Sequence, residues 1–274
     1  MRRITIGQYY PANSAIHRLD ARVKLIGALA HIILLLIVDN FIGYGIAAIY
    51  VAALIYVSKA PPRMLFRGLR AILFMLIFAM TINLFLAPGE NILFQVWIIR
   101  ITMEGIVLSA RMASRLVLLV TGSSILTLAT SPIQLTDAIE ALLRPLKLIK
   151  IPAHDIAMMM TIALRFIPTL ADEMDKIMKA QKARGADFDT GGLIKRAKSM
   201  LPMLVPLFVS AFKRADELAT AMEARCYRGD QQRTKMTPMK MTPADIMSIG
   251  VMVVVGVAMV LTRFLPWFLG NANY

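Results

Sequence analysis

Five stretches of this 274-residue chain are apolar for about 17 to 26 residues at a time: Val23 to Asp39, Phe41 to Ser58, Ala71 to Ala87, Glu104 to Ala129 and Ala244 to Thr262. As helices rising about 1.5 Å per residue, they are of the length needed to cross a hydrocarbon layer roughly 30 Å thick. One soluble core could not absorb them. Apolar residues make up 58% of the chain before glycine is counted, whereas a soluble domain has roughly 45 to 50% with glycine included. The pattern predicts an all-α polytopic membrane protein with about five transmembrane helices. Only Asp39 and Asn40 separate the first two runs, which predicts an antiparallel hairpin. The last run opens with Thr242, Pro243 and Asp245, a cap, a first-turn proline and an early acid.

The chain carries 31 Lys+Arg against 17 Asp+Glu, a net charge of +14. In a soluble protein that surplus would suggest a nucleic-acid partner; in a membrane protein it marks cytoplasmic loops. With the N-terminus in the cytoplasm, residues 1–24, 59–70 and 131–243 lie on that side and hold 27 of the 31 basic residues. The expected location is therefore the cell membrane, multi-pass, with the N-terminus cytoplasmic and the C-terminus extracellular. The basic loops would face the anionic headgroups of the lipid bilayer, and no nucleic acid is needed to explain them. Because the first apolar run begins only near Leu25, the N-terminus does not read as a cleaved signal peptide.

Arg111 and Arg115 are four residues apart and share one helix face. An arginine inside a span is costly, but the fourth run is longer than the bilayer requires, so both are expected in the interfacial turns at its start.

Residues 131–243 form a second kind of region. Ile151 to Leu170 and Ser199 to Phe212 are apolar but contain Pro152, Pro168, Pro202 and Pro206, so each apolar piece is expected to be too short to span and to form amphipathic helices instead. Thr136 followed by DAIEALLRPL reads as a capped short helix ending before Pro145. The expected organisation is a membrane domain of four spans over 1–130, a cytoplasmic or interfacial region over 131–243, and a C-terminal span over 244–274.

Two segments in that region repeat. From Leu170 the stripe runs Leu170, Met174, Ile177, Gln181, Arg184; from Ala211 it runs Ala211, Ala215, Leu218, Met222, Arg225, every position 41 residues after its counterpart. Asp175 and Asp216, Ala180 and Ala221, and Ala183 and Ala224 are identical at the same offset. Steps of 4 and 3 predict two similar helices, each with a heptad-like stripe. An arginine that only complements the helix dipole would lie on the polar face. Arg184 and Arg225 instead continue the stripe, so they read as cations meant to enter something. A guanidinium suits that task because it stays ionised and binds a carboxylate through two hydrogen bonds. Gly185 supplies a C-terminal stop to the first helix, and Cys226 with Tyr227 follows the second.

AQKARG (Ala180 to Gly185) and AMEARC (Ala221 to Cys226) resemble the paired Ala-Arg-Gly-type motifs of the transmembrane coupling subunit, or T component, of energy-coupling-factor transporters. GQYYPANSAIHRLDARVKL (Gly7 to Leu25), IALRFIPTLADE (Ile162 to Glu173) and RADELATAMEARCYRG (Arg214 to Gly229) are similar to that family as well. Cys226 departs from the glycine of the first motif. The resemblance implies a subunit that joins two ATP-binding cassette ATPases to a small membrane protein capturing a vitamin or metal ion. It also implies that the two motif-bearing helices are long coupling helices. The ATPases would dock at Ala183, Arg184 and Gly185 and at Ala224, Arg225 and Cys226. Leu170, Met174, Ile177, Ala211, Ala215, Leu218 and Met222 would pack the coupling helices together and grip the capture subunit.

No GxxxxGK[ST] phosphate loop occurs, so any ATP site must come from another chain. An intramembrane enzyme would need converging catalytic groups within the bilayer, yet His31 is the only histidine in a span and neither HExxH nor GxSxG occurs. Three histidines and the single Cys226 offer no zinc-like spacing. No catalytic residue, metal site or cofactor is expected. A self-sufficient secondary transporter would show repeated halves and a buried ionisable coupling residue; the one repeat lies outside the spans, and Asp39 and Glu104 sit at span ends.

Overall fold

Short polar side chains start most of the helices, as expected of groups that satisfy the orphan N–H bonds of a first turn. In the computed structural model, which describes residues 9–86, 92–96, 99–143, 145, 152–186, 192–227, 229 and 241–268, Ser14 caps α1 (Ala15–Arg18), Asp20 caps α2 (Ala21–Ile37) and Asn40 caps α3 (Phe41–Ser58). After α4 (Pro62–Leu86), β1 (Ile92–Val96) and β2 (Ile99–Thr102) pair as an antiparallel ribbon with a bulge between Ile92 and Phe94. β-branched residues dominate this ribbon, which suits strands and adds to the helical plan predicted from the spans. Thr102 then caps α5 (Met103–Ala129). The order ends with α6 (Pro132–Leu143), α7 (Ala153–Ala183), α8 (Leu193–Ala224) and α9 (Pro243–Phe268).

α3, α4, α5 and α9 are long and apolar enough to cross a membrane. The first expected span corresponds to α2, whose 17 residues reach only about 25 Å because the chain turns at Asp39 and Asn40. Ala87, Ile151 and residues 269–274, which bounded expected elements, lie outside the described residues, as do many of the basic loop positions. Chain contacts divide the molecule into two compact units, one of Gly7–Ala138 with Pro238–Tyr274, the other of Met1–Ile6 with Ile139–Thr237.

In the first unit α5 packs on α2, α3 and α4, while α9 packs on α2 and α3. The expected α2/α3 hairpin is therefore opened: each helix lies against α5 and α9 rather than mainly along the other. Glycines allow the close approach. A methyl group on Gly256 of α9 would meet Leu34, and one on Gly27 of α2 would meet Met252. On α5, Gly122 leaves room for the ring of His31, whose Nε2 lies 3.2 Å from the Leu118 carbonyl oxygen. That is the packing role expected of a lone histidine in a span. Leu35, Val38, Ala47, Leu118, Leu128 and Met259 are among the residues of the apolar core around these contacts.

Arg115 is not merely interfacial. It lies in the fourth turn of α5, where Nη2 is 2.5 Å from Asp39 Oδ1 and donates to the Val38 carbonyl at 3.1 Å. Its Nε donates to the Tyr44 hydroxyl at 3.1 Å, and that hydroxyl donates to Val38 O at 2.8 Å. Asn40 joins the same turn to α9, donating from Nδ2 to the Thr262 carbonyl and accepting from the Thr262 hydroxyl. The end of α2 is thus held by hydrogen bonds where the helix is too short to be held by length.

Two further expectations are corrected. α6 begins four residues before Thr136, with Pro132 in its first turn, and Ser131 and Gln134 cap each other reciprocally, side chain to backbone N–H. Thr136 lies inside the helix and donates its hydroxyl proton to the Ile133 carbonyl. The prolines do not break the amphipathic segments either: Pro168 lies within the 31 residues of α7, and Pro202 and Pro206 within the 32 of α8. Each proline removes one backbone donor, a loss small beside the many hydrogen bonds of a helix about 45 Å long.

Candidate functional site

α7 and α8 pack against each other in the second unit. Of the expected stripes, Leu170, Ile177 and Gln181 of α7 and Ala211, Leu218 and Met222 of α8 are half-buried, whereas Met174 and Ala215 are exposed. The helices are also joined by Arg214 Nη2 and Glu173 Oε2, 3.5 Å apart. These two residues are themselves separated by the 41-residue offset of the repeat. One pair of equivalent positions of α7 and α8 therefore meets, and its opposite charges attract where identical ones would repel.

The helix ends repeat each other in atomic detail. Arg184 is the C-cap of α7 and Arg225 that of α8. After the first, Gly185 N–H donates to Lys182 O and Ala186 N–H to Gln181 O, both at 3.0 Å. After the second, Cys226 N–H donates to Glu223 O at 2.8 Å and Tyr227 N–H to Met222 O at 3.0 Å. This is the same Schellman closure twice, and it requires a left-handed residue after the cap. Gly185 supplies it with φ 86°, and Cys226 with φ 56°. An L side chain in that region costs roughly 1 to 2 kcal/mol, so Cys226 holds the glycine geometry at some energetic expense. The departure from the first motif changes the side chain and leaves the backbone path alone.

At both ends the six motif residues, Ala183, Arg184 and Gly185 with Ala224, Arg225 and Cys226, are exposed. Each backbone N–H closes its own helix, Arg184 onto Ala180 O and Gln181 O and Arg225 onto Met222 O, while neither guanidinium is hydrogen-bonded or ion-paired to another described residue. Each stands beside a small alanine, so the backbone nearby is open to close approach. A cation at the carbonyl end of a helix is favoured by the dipole, which orients it here without using its five N–H donors. The arrangement can accept an acidic groove from another molecule.

Sequence reasoning missed two polar assemblies. The Asp39–Arg115 pair joins residues 76 apart in sequence, and nothing in either local pattern signals it. Lys24 and Asp245 are buried, and Asp20 N–H donates to Asp245 Oδ1 across 225 residues at 2.7 Å. Only Asp245 was legible in the sequence, as the early acid that follows the Thr242 cap of α9. Among the described residues no group of His, Cys, Asp and Glu could hold a metal ion.

A family model described as "CbiQ: Cobalt transport protein" matches residues 12–236. A protein of Thermosediminibacter oceani is 48% identical over 265 residues, covering 97% of this chain and 100% of that protein. One of Ruminiclostridium cellulolyticum is 52% identical over 254 residues, covering 93% and 95%, and one of Acidaminococcus fermentans is 50% identical over 264 residues, covering 96% and 97%. All three are named energy-coupling factor transporter transmembrane protein EcfT. With the apolar helices and the paired helix ends, these matches establish that the chain belongs to the CbiQ/EcfT family, as a membrane component of an energy-coupling-factor transporter that is not itself an enzyme.

Proposed function

We propose that this chain is the scaffold and coupling subunit of an ATP-driven importer, carrying the motion of two ATP-binding cassette ATPases to a small membrane subunit that captures a vitamin or another micronutrient. The observation that supports this most directly is the duplicated helix end: two exposed arginines at equivalent C-caps, each presented by the same backbone closure. A repeated cation suits a repeated partner. Each of two ATPases would receive one guanidinium, Arg184 or Arg225, in a groove with a carboxylate placed to accept a bidentate bond. Removing one side of a buried charge pair costs about 2 to 5 kcal/mol, which is the scale of contact that force transmission needs.

The capture subunit would pack on the apolar surface of the coupling helices. The half-buried Leu170, Ile177, Ala211, Leu218 and Met222 would pack α7 and α8 together, and the exposed Met174 and Ala215 would be free for the capture subunit. Lipid surrounds the remaining spans. The excess of basic residues in 1–24, 59–70 and 131–243 favours a cytoplasmic N-terminus and an extracellular C-terminus in the cell membrane, and a cytoplasmic 131–243 puts both arginines on the side where ATP is.

Purification of the tagged chain in mild detergent tests the reading. Two ATP-binding subunits and one small membrane protein should accompany it; a solitary, stable homodimer would contradict it.

A further inference from the structure

The chain leaves the membrane unit after Ala138 and re-enters it at Pro238. Displacement of residues 139–237 by a partner therefore has two covalent routes into the spans, one through the end of α5 and α6, the other through the start of α9. Both routes are fastened to the same short segment, residues 10–24. Tyr10 N–H donates to the Leu128 carbonyl at 3.0 Å, and Lys24 Nζ donates to the Ala129 carbonyl at 3.0 Å and to His17 O at 3.3 Å. These bonds satisfy carbonyls that the last turn of α5 leaves without intrahelical partners. On the other route, Asp245 is 0% exposed. Its Oδ1 accepts from Asp20 N–H, and its Oδ2 accepts from both the N–H and the hydroxyl of Thr242, all at 2.7 Å.

Lys24 and Asp245 carry opposite charges on this segment and its neighbour, each held by its own hydrogen bonds rather than by an ion pair between them. Burying them is expensive unless every charge is bonded, yet Asp20 Oδ2 and Arg22 Nε are buried without a partner. Well-packed apolar side chains at such positions are often no less stable. A joint that must keep two loaded connections together gains from the charges, because pulling residues 10–24 away from either connection leaves a buried charge without its hydrogen bonds.

We propose that Lys24 and Asp245 are positioning residues of a clamp that holds the end of α5 and the start of α9 as one rigid joint when ATP drives the coupling helices. The proposal rests on the coupling reading above. It predicts that the two routes move together under load, and that breaking the clamp lets them move separately.

Spin labels at Thr127→Cys on α5 and Met247→Cys on α9, both exposed positions, report this distance in the complex purified with its ATPases. Cys226, the sole cysteine of the sequence, is replaced by glycine, the residue that ends the first motif, and co-purification of the ATPases with this background is verified before labelling. With the clamp intact, the distance distribution should be narrow and the same with and without ATP and Mg²⁺. In Lys24→Met or Asp245→Asn it should stay narrow without nucleotide and widen at least twofold with ATP and Mg²⁺, and Lys24→Arg should restore the narrow form. Widening without nucleotide would mean a merely structural role and would overturn the proposal. So would an ATP-dependent shift in the intact clamp, or no change in the variants. If Lys24→Met yields no complex, Thr242→Val, which removes one hydroxyl and neither charge, should show a smaller widening of the same kind, and its absence would overturn the clamp. Failure of the ATPases to accompany the unmodified chain would instead overturn the coupling reading.

Discussion

Glu173 and Arg214 occupy equivalent positions in the two repeated helices and meet each other, Oε2 to Nη2, at 3.5 Å. The contact relates α7 to α8 through the same 41-residue repeat that gives the chain two arginine-bearing helix ends. Both side chains are partly exposed, so the pair contributes on the order of 0.2 to 1 kcal/mol.

Reversing one charge of this pair should loosen the seam, and reversing both should restore it. Glu173→Arg or Arg214→Glu is expected to lower the thermal midpoint of the purified chain. The double variant Glu173→Arg, Arg214→Glu should recover most of that loss, a non-additivity that a double-mutant cycle reads directly. Additive losses would mean the two residues do not interact.

Cys226 offers a change in the opposite direction. Its φ of 56° is a glycine conformation, so Cys226→Gly should stabilise the end of α8 by roughly 1 kcal/mol. Gly185→Val, at φ 86°, should destabilise the end of α7 by at least as much. Thermal unfolding of the two variants, side by side, checks the sign of each.

Arg115→Met should cost about 2 kcal/mol, the value of a charge-assisted hydrogen-bond set to a carbonyl, a phenol and a carboxylate. Asp39→Asn should cost less than about 1 kcal/mol, because the Asp39 side chain is 59% exposed. Melting curves in detergent that reversed this order would remove Arg115 as the anchor of the α2 to α3 turn.

Local signals carried much of this fold. The spans could be read because apolar length is a property of contiguous residues, and the two helix ends because a 41-residue offset preserves phase as well as residue type. What could not be read was pairing at a distance. α2 and α3 look like a hairpin from their two-residue turn, yet α5 and α9 lie against both, through glycines whose role appears only when the facing side chains are known. Thr136 looked like a cap because a periodic run follows it, while the reciprocal Ser131 and Gln134 pair starts the helix one turn earlier. The prolines of α7 and α8 suggested interruption, but the hydrogen bonds around each outweighed the single donor it removes. At the site, sequence phase placed Arg184 and Arg225 on the stripe; the structure adds that both are exposed C-caps with matching closures.

The central claim is that these two arginines receive the drive from the ATPases, and uptake by the assembled transporter tests it most directly. Arg184→Glu, Arg225→Glu should leave the chain in the membrane, abolish ATPase binding and stop uptake of the captured micronutrient, with each single reversal weakening both. Full uptake by the double variant would contradict the account.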